Sequence, residues 1–218
     1  MIKSSKFTFR QGRSAAKAEL QSSKLIIDIL KQGGVVAAPT DTVYGLLADA
    51  TNSEAVEKIY KIKGRKGEKA LPIFLYSLDW LGEFVEIKPQ QKSFLEKVWP
   101  GKVTVILKLK EKTSLAPNAI SKEGSAAFRI PNHPLVIEIL KEFKKPLTGT
   151  SANRSGMPPC LDAECIKKQL TQLKPDFIID IGKLPPRKPS TIVDLTKTPP
   201  QIVRRGSDYK SVKKKSLS

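Results

Sequence analysis

Four short polar segments of the sequence place hydroxyl, amide and cationic side chains next to apolar runs. They are 39–46 (PTDTVYGL), 63–67 (KGRKG), 150–156 (TSANRSG) and 190–194 (STIVD), and the sequence RRG follows at 204–206. Hydroxyls, amides and guanidinium groups at the ends of strands can hold phosphate or carboxylate oxygens, or the edge of a nucleobase. Each segment alone is explained equally well as an ordinary polar turn. No single segment therefore predicts a function.

Segment 63–67 is the strongest candidate for binding an anion. Lys63 and Arg65 lie on either side of Gly64, and glycine lets the backbone approach a ligand closely while the cations converge on it. The segment does not fit the Walker phosphate loop, because no second glycine precedes a Lys-Ser or Lys-Thr pair at the required spacing. A triphosphate site and a solvated basic turn both remain open here.

The histidine and cysteine content argues against two classes of site. His133 is the only histidine, and it lies between Asn132 and Pro134, so a serine-histidine hydrolase or a multi-histidine metal site is disfavoured. We expect His133 to be a structural turn residue. Cys160 and Cys165 have no further cysteine or histidine nearby to complete a zinc site. We expect both cysteines to be reduced, and we predict no metal site formed by the protein.

The overall charge predicts a polyanionic partner. The 218 residues include 39 Lys and Arg against 21 Asp and Glu, a formal net charge of +18. Such an excess creates a positive potential that attracts RNA or nucleotide phosphates. Residues 1–13 lack the apolar run of a secretory signal, and no stretch approaches the roughly 18 apolar residues of a membrane helix. We therefore expect a cytoplasmic protein with no membrane partner.

The periodicity of apolar residues alternates between helical and extended patterns, which predicts an α/β fold. The expected helices cover 25–30, 52–63, 90–98, 134–143 and 162–173. The expected strands cover 35–38, 71–75, 103–109, 126–130, 177–181, 191–195 and 201–203. We divide the chain into a basic N-terminal arm (1–19), one catalytic domain (20–208) and a basic tail (209–218) that we expect to be disordered.

Six ordered segments resemble the YrdC (also TsaC) family of threonylcarbamoyl-AMP synthases over about residues 20–206. They are 39–46 (PTDTVYGL), 63–65 (KGR), 100–104 (PGKVT), 128–131 (FRIP), 151–156 (SANRSG) and 190–194 (STIVD). The resemblance implies an α/β fold with a twisted, mixed sheet that is flanked by helices and encloses a concave, basic cavity. The chain resembles the short, single-domain form of the family.

The resemblance also implies roles for individual residues. The implied threonine-binding residues are Thr40, Arg129 and Ser190, and the implied ATP-binding residues are Arg65, Lys69, Ser125, Ser151, Asn153 and Arg204. Lys63 and Arg65 are the implied catalytic cations. Two positions depart from the family pattern, because Phe74 stands where longer relatives carry a histidine and Pro159 replaces a common serine. The contacts of that histidine and that serine are not carried over.

The implied reaction condenses L-threonine, bicarbonate and ATP to threonylcarbamoyl-AMP, with Mg²⁺ arriving together with ATP. The product would serve the downstream machinery that forms N6-threonylcarbamoyladenosine (t6A) in tRNA. A first alternative is a double-stranded RNA or ribosome-associated binding protein without chemistry, which the net charge also favours. A second alternative is a carbamoyl-transfer domain like that of hydrogenase-maturation proteins, although the usual partner modules of that domain are absent from this sequence.

Overall fold

The computed structural model describes residues 3–6, 24–65 and 70–215 of the chain. Predictions for residues 1–2, 7–23, 66–69 and 216–218 lie outside the described residues. These gaps include most of the basic N-terminal arm and the predicted ATP-binding residue Lys69.

The described strands form two mixed sheets. They are β1 (Lys3–Lys6), β2 (Val36–Ala38), β3 (Gly45–Leu47), β4 (Pro72–Phe74), β5 (Val103–Lys108), β6 (Ser125–Arg129), β7 (Leu147–Thr148), β8 (Thr150–Ser151), β9 (Phe177–Asp180), β10 (Thr191–Asp194) and β11 (Gln201–Arg204). The five-stranded sheet has the order β1-β9-β2-β3-β8, and the six-stranded sheet has the order β11-β10-β5-β6-β4-β7. The predicted mixed α/β fold is confirmed, and its strands divide between two sheets where the resemblance implied one.

Seven helices pack against these sheets within the described ranges. They are α1 (24–31), α2 (Ser53–Lys63), α3 (Leu78–Phe84), α4 (Pro89–Val98), α5 (Pro134–Phe143), α6 (Ala163–Gln169) and α7 (Tyr209–Lys215). Helix α2 begins where the side chain of Asn52 accepts from the backbone N–H groups of Glu54 and Ala55. It ends at Gly64, whose φ of 59° is a left-handed conformation that glycine adopts without strain. None of the described helices has the length and apolar character needed to cross a bilayer.

The two faces of the six-stranded sheet have different environments. Val105, Leu107 and Phe128 belong to a buried apolar cluster that also contains Leu81 of α3 and Leu95 of α4. Because side chains alternate between the faces of a strand, the intervening residues of β5 and β6 point to the opposite face. That opposite face forms part of the candidate site.

Gly149 connects the two sheets. It follows β7 in one sheet and precedes β8 in the other, and its backbone N–H donates to the carbonyl of Pro72 at 2.7 Å. A Cβ atom at this position would lie 2.2 Å from Cε1 of Phe74. Only glycine therefore allows the chain to pass so closely over the Phe74 ring.

Several short elements differ from the predictions. Strands β3 and β8 lie in segments that we predicted as loops, because their polar residues resembled turns. Strand β3 pairs with the nearby β2 on one side and with β8, about a hundred residues later in the chain, on the other. Helix α6 ends at Gln169 instead of continuing to 173. Leu170 is buried but Leu173 is 37% exposed, so the residues beyond 170 have no core surface to cover.

The C-terminal segment is helical, so the prediction that 209–218 is disordered is wrong for residues 209–215. Helix α7 places Val212 in the same apolar cluster as Val98 and Trp99, and Val212 is fully buried. Val212 is the one aliphatic residue beside four lysines in this helix, which does not produce a recognisable amphipathic pattern. The sequence therefore gave no periodic signal for this helix.

Cys160 and Cys165 form a disulfide, which contradicts our expectation that both are reduced. The side chain of Asp162 accepts from the backbone N–H of Cys165 and starts helix α6 there. The resulting turn brings the two Cα atoms to 5.4 Å, within the range that a disulfide requires. A spacing of five residues does not reveal this turn without the structure.

Candidate active site

A cavity of about 530 Å³ opens over the polar face of the six-stranded sheet. Its described lining residues are Thr42, Val43, Lys63, Arg65, Ala70, Pro72, Ile106, Ser121, Ser125, Ala126, Ala127, Arg129, Gly149, Thr150, Ser151, Asn153, Ser155, Gly156, Pro189, Ser190, Ile192, Val203 and Arg204. Four of these side chains are basic and none is acidic. The lining therefore favours an anionic ligand.

The wall that the sheet contributes is apolar in the middle and polar at its edges. Ile106 of β5 pairs in register with Ala127 of β6, and Ile192 of β10 lies on the same face. Ser125 and Arg129 are two residues before and after Ala127, so both share its face of the sheet. This arrangement combines an apolar surface with hydrogen-bonding and charged groups on either side of it.

Arg129 is held in one orientation by several partners. One Nη atom lies 2.5 Å from Oδ1 of Asp41, and Nε donates to the carbonyl of Gly101 at 2.8 Å. The second Nη atom donates to Oγ1 of Thr42 at 3.3 Å, and the guanidinium lies 5.6 Å from the centre of the Phe74 ring. Burial lowers the pKa of Arg129, whereas Asp41 opposes that shift. The ion pair thus keeps a charged guanidinium at the cavity wall.

Phe74 stands at the position for which the family resemblance implied a histidine in longer relatives. Its ring is 1% exposed and packs between the Arg129 guanidinium and Gly149. It is absent from the described lining of the cavity. The Phe74 ring therefore packs against Arg129 and Gly149 and offers no polar atom to a ligand.

Arg204 is a second cation of the cavity, and it is hydrogen-bonded to Ser190. The Nε atom of Arg204 donates to the carbonyl of Ser190 at 3.0 Å, and an Nη atom donates to the Ser190 hydroxyl at 3.0 Å. The hydroxyl of Thr104 lies 2.8 Å from that same serine oxygen. Burial lowers the pKa of Arg204, and the positive charge of Arg129 adds to this effect.

Lys63 is more deeply buried than a solvated basic turn would allow. Its side chain is 3% exposed, and its Nζ atom donates to the carbonyls of Ser151 at 2.5 Å and Asn153 at 2.9 Å. A third contact reaches Oδ1 of Asn153 at 3.2 Å. Burial, together with the nearby charge of Arg65, lowers the pKa of Lys63 from 10.5 to about 7. Lys63 therefore fixes the 151–153 backbone.

Arg65 and the 151–153 segment form the opposite side of the cavity. The Arg65 guanidinium lies 5.3 Å from the centre of the Tyr60 ring, which orients it towards the lining. The Ser151 hydroxyl donates to Oδ1 of Asn153 at 2.6 Å, and the Asn153 amide donates to the carbonyl of Met157 at 2.6 Å. These bonds hold the polar loop in a defined shape beside the cation.

The structure brings eight of the ten predicted site residues to this one cavity. These eight are Lys63, Arg65, Ser125, Arg129, Ser151, Asn153, Ser190 and Arg204. Thr40 is absent from the described lining, and its hydroxyl donates to the carbonyl of Val43 at 2.7 Å. Lys69 lies outside the described residues. The assignment of particular substrates to these residues stays a prediction.

Three buried residues that support the site were not assigned roles from the sequence. Asp41 pairs with Arg129, Thr42 bonds to Arg129 and lines the cavity, and Thr104 contacts Ser190. Asp41 and Thr42 lie inside the polar segment 39–46, and Thr104 ends the segment 100–104 that resembles the family, so the sequence predicted their neighbourhood. His133 precedes helix α5, which agrees with a structural position, and it is absent from the described lining.

The family relationship follows from direct comparison with known proteins. The family model for Sua5, YciO and YrdC proteins, described as telomere recombination, matches residues 28–206. The chain belongs to the Sua5/YciO/YrdC family. The threonylcarbamoyl-AMP synthase of Vibrio parahaemolyticus serotype O3:K6 is 37% identical over 149 residues, which are 66% of this chain and 79% of that protein.

Two further relatives of this Sua5/YciO/YrdC chain are considerably longer. The threonylcarbamoyl-AMP synthase of Bacillus subtilis (strain 168) is 36% identical over 143 residues, which are 65% of this chain but 41% of that protein. The crystal structure of P. abyssi Sua5 complexed with L-threonine has a TM-score of 0.80 and 27% identity. That match covers 97% of this chain and 60% of the P. abyssi chain. The shared region is therefore the domain that contains the cavity.

Proposed function

We propose that this chain is a threonylcarbamoyl-AMP synthase that condenses L-threonine, bicarbonate and ATP and releases pyrophosphate. The observation that carries the proposal is the cavity of about 530 Å³, which has four basic and no acidic side chains in its described lining. Its volume lies within the range of roughly 300–1,000 Å³ that is usual for small-molecule sites. The similarity to P. abyssi Sua5 complexed with L-threonine supports an amino-acid substrate.

The amino acid and the nucleotide would occupy different parts of the cavity. Arg129 and Ser190 offer a fixed guanidinium and a hydroxyl, which suit a carboxylate. Arg65 and Arg204 are the cations suited to the phosphates. Ile106, Ile192 and Val203 provide an apolar surface against which a nucleobase can pack.

The chemistry needs positioning and charge stabilisation more than proton transfer. The threonine amine adds to the carbon of bicarbonate and water is lost, which gives a carbamate. A carbamate oxygen then attacks the α-phosphorus of ATP, and the bond from that phosphorus to the bridging oxygen breaks. Pyrophosphate leaves with the electron pair, and its charge is stabilised by Arg65 and Arg204.

Lys63 contributes to this reaction by holding the loop that lies beside the phosphates. Its three ammonium donors contact oxygens of Ser151 and Asn153, so they are not directed at a ligand in this structure. The sequence suggested direct contact of Lys63 with the triphosphate. We instead assign the contact to Arg65 and give Lys63 a positioning role.

Mg²⁺ would enter the site with ATP. The described lining contains no carboxylate, and the described residues include no cluster of histidine, cysteine, aspartate or glutamate that could bind a metal. Mg²⁺ commonly keeps several water ligands and binds through the phosphates of a nucleotide. The protein therefore binds the nucleotide, and the nucleotide carries the ion.

The decisive experiment is product analysis with labelled bicarbonate. The chain is incubated with L-threonine, bicarbonate and Mg-ATP, and mass spectrometry measures the adduct of AMP with labelled threonylcarbamate. We expect the adduct only when all three substrates are present. Formation of pyrophosphate without threonine would contradict the proposal, and an RNA-binding protein would be indifferent to both small substrates.

Arg65 can be tested against a matched control on the same helix end. Arg65→Met removes a cation from the cavity. Lys61→Met removes an exposed cation of helix α2 that is absent from the described lining of the cavity. We expect Arg65→Met to lower kcat/KM for ATP about a hundredfold, the usual scale for losing one charge-stabilising donor. Equal activity of both variants would exclude Arg65 from the phosphate site.

The fate of the product and the cell compartment also belong to the proposal. The labile adduct would be passed to the machinery that forms t6A in tRNA, which we place in the cytoplasm. The basic residues of the C-terminal segment remain a candidate RNA contact. Replacing the exposed Lys210 and Lys213 by Gln keeps Val212 in the core and should weaken RNA binding and flatten its salt dependence, because each lost phosphate contact lowers the slope by roughly 0.7 to 0.9.

A further inference from the structure

The hydroxyl of Thr104, a buried residue of β5, forms a hydrogen bond with the hydroxyl of Ser190. Thr104 is 1% exposed, and its Oγ1 atom lies 2.8 Å from Oγ of Ser190. It is in the central part of the sheet, because β5 pairs with both β10 and β6. Thr104 is absent from the described cavity lining, so it meets no ligand itself.

The direction of the hydrogen bond between the two hydroxyls follows from counting donors and acceptors. A hydroxyl has one donor and two acceptor positions. Ser190 Oγ already accepts from Arg204 at 3.0 Å. Among the described residues, Ser190 Oγ is the one partner found for Thr104 Oγ1. A buried hydroxyl proton without an acceptor is costly, so the Thr104 proton points to Ser190.

This direction leaves the Ser190 proton available to a ligand. Ser190 Oγ accepts from Arg204 and from Thr104, which fills both of its acceptor positions. Its own proton then has no acceptor in the pair and points to the cavity that Ser190 lines. Two donors on one hydroxyl oxygen also polarise it, which strengthens the hydrogen bond that it donates.

We propose that Thr104 is a positioning residue that makes the Ser190 hydroxyl an obligatory donor to the carboxylate of the amino-acid substrate. The inference rests on the proposed function, because it needs an amino acid at Ser190. An anionic acceptor is favoured there by the adjoining guanidinium groups of Arg204 and Arg129. The carboxylate is the anionic group that a free amino acid always carries.

The backbone around Ser190 is held independently of Thr104. Ser207 pairs with Ser190 in a parallel bridge and donates from its backbone N–H to the carbonyl of Pro189 at 2.8 Å. A Cβ atom at Gly206 would lie 2.1 Å from that carbonyl oxygen, so the two segments are in close contact. Removing the Thr104 hydroxyl should therefore change the orientation of the Ser190 side chain without displacing its backbone.

The test compares Thr104→Val with Thr104→Ser. Valine keeps the branched shape that suits β5 and loses the hydroxyl, whereas serine keeps the hydroxyl. Isothermal titration of the full chain measures the Kd for L-threonine and, separately, for ATP. We expect Thr104→Val to weaken threonine binding about fivefold, the scale of one neutral hydrogen bond, with ATP binding unchanged. Thr104→Ser should restore the threonine affinity.

The reverse bond direction predicts the opposite result. If Ser190 donated to Thr104, valine would free the serine proton and threonine would bind as well as before or more tightly. That result would overturn the proposal, and so would an equal loss of threonine and ATP affinity. If the valine variant did not fold, Thr104→Ala compared with Thr104→Ser gives the same measurement.

A Ser190→Ala background separates the role of Thr104 from a general structural one. Without the serine hydroxyl, Thr104→Val should cause no further loss of threonine affinity, and an additive loss would overturn the proposal. Failure of the proposed function has a different signature, because the wild-type chain would then bind no threonine. A wild-type chain that binds threonine with Thr104→Val unchanged would refute the positioning role alone.

Discussion

The buried ion pair between Asp41 and Arg129 should contribute strongly to the integrity of the site. The side chains are 6% and 3% exposed, and the Nη and Oδ1 atoms are 2.5 Å apart. Asp41→Asn removes the negative charge but keeps the size of the side chain. The Arg129 guanidinium would then be a buried charge without its counterion, although its contacts with Gly101 and Thr42 remain.

We expect Asp41→Asn to lower the free energy of unfolding strongly, because both side chains of the pair are removed from solvent. Removing one partner of a buried pair usually lowers the free energy of unfolding by about 3–5 kcal/mol. For a chain of this size, that corresponds to a fall of roughly 6–20 °C in Tm. Urea unfolding followed by circular dichroism gives the free energy, and calorimetry gives Tm. The control Glu96→Gln breaks an exposed pair with Lys92 and should cost at most about 0.5 kcal/mol.

A double-mutant cycle tests the physical reason for that cost. Arg129→Met removes the cation, and the double variant contains neither charge. We expect the double variant to be about 2–3 kcal/mol more stable than the sum of the single changes predicts, because neither charge remains unpaired. Additive changes, or a loss below about 1 kcal/mol for Asp41→Asn, would refute the reasoning.

Three further measurements test the fold around the site. The pKa of Lys63 is about 7 in the folded protein and 10.5 in the absence of the fold. The folded state therefore binds fewer protons than the unfolded state, and the free energy of unfolding should rise with pH. Between about pH 6.5 and 8.5, the wild type should gain roughly 2 kcal/mol relative to Lys63→Met in urea unfolding, and a constant difference would contradict this. Cys165→Ser removes the disulfide to Cys160 and should lower the free energy of unfolding by about 2 kcal/mol. Reduction of the wild type should cause an equal loss. A wild-type unfolding midpoint that does not change with reductant would disprove the disulfide. Val212→Ala should cost about 2 kcal/mol in thermal unfolding, and a change below about 0.5 kcal/mol would show that α7 does not pack on the core.

The sequence predicted the elements whose signals are local. Asn52 and Gly64 marked the ends of α2, and the predicted helix 134–143 has the observed bounds of α5. The class of fold also followed from the alternating periodicity. Eight of the ten site residues that the family resemblance implied line one cavity.

Tertiary structure decided the features that depend on distant partners. Strand β8 is too short to carry its own signal and exists because it pairs with β3, about a hundred residues earlier. The helical state of 209–215 depends on the burial of Val212 against α4. The burial of the Lys63 ammonium, on which we base its proposed positioning role, depends on its contacts with the 151–153 backbone.

The amino-acid sequence by itself determined which groups are available for chemistry, because residue type fixes charge, donors and acceptors. It did not determine which groups face a ligand and which face each other. Thr104 and Asp41 lie in the recognised segments, yet their partners Ser190 and Arg129 are more than eighty residues away. Burial and hydrogen bonding across such separations arise only when the sheets assemble. The tertiary structure alone therefore decided how these polar side chains are oriented.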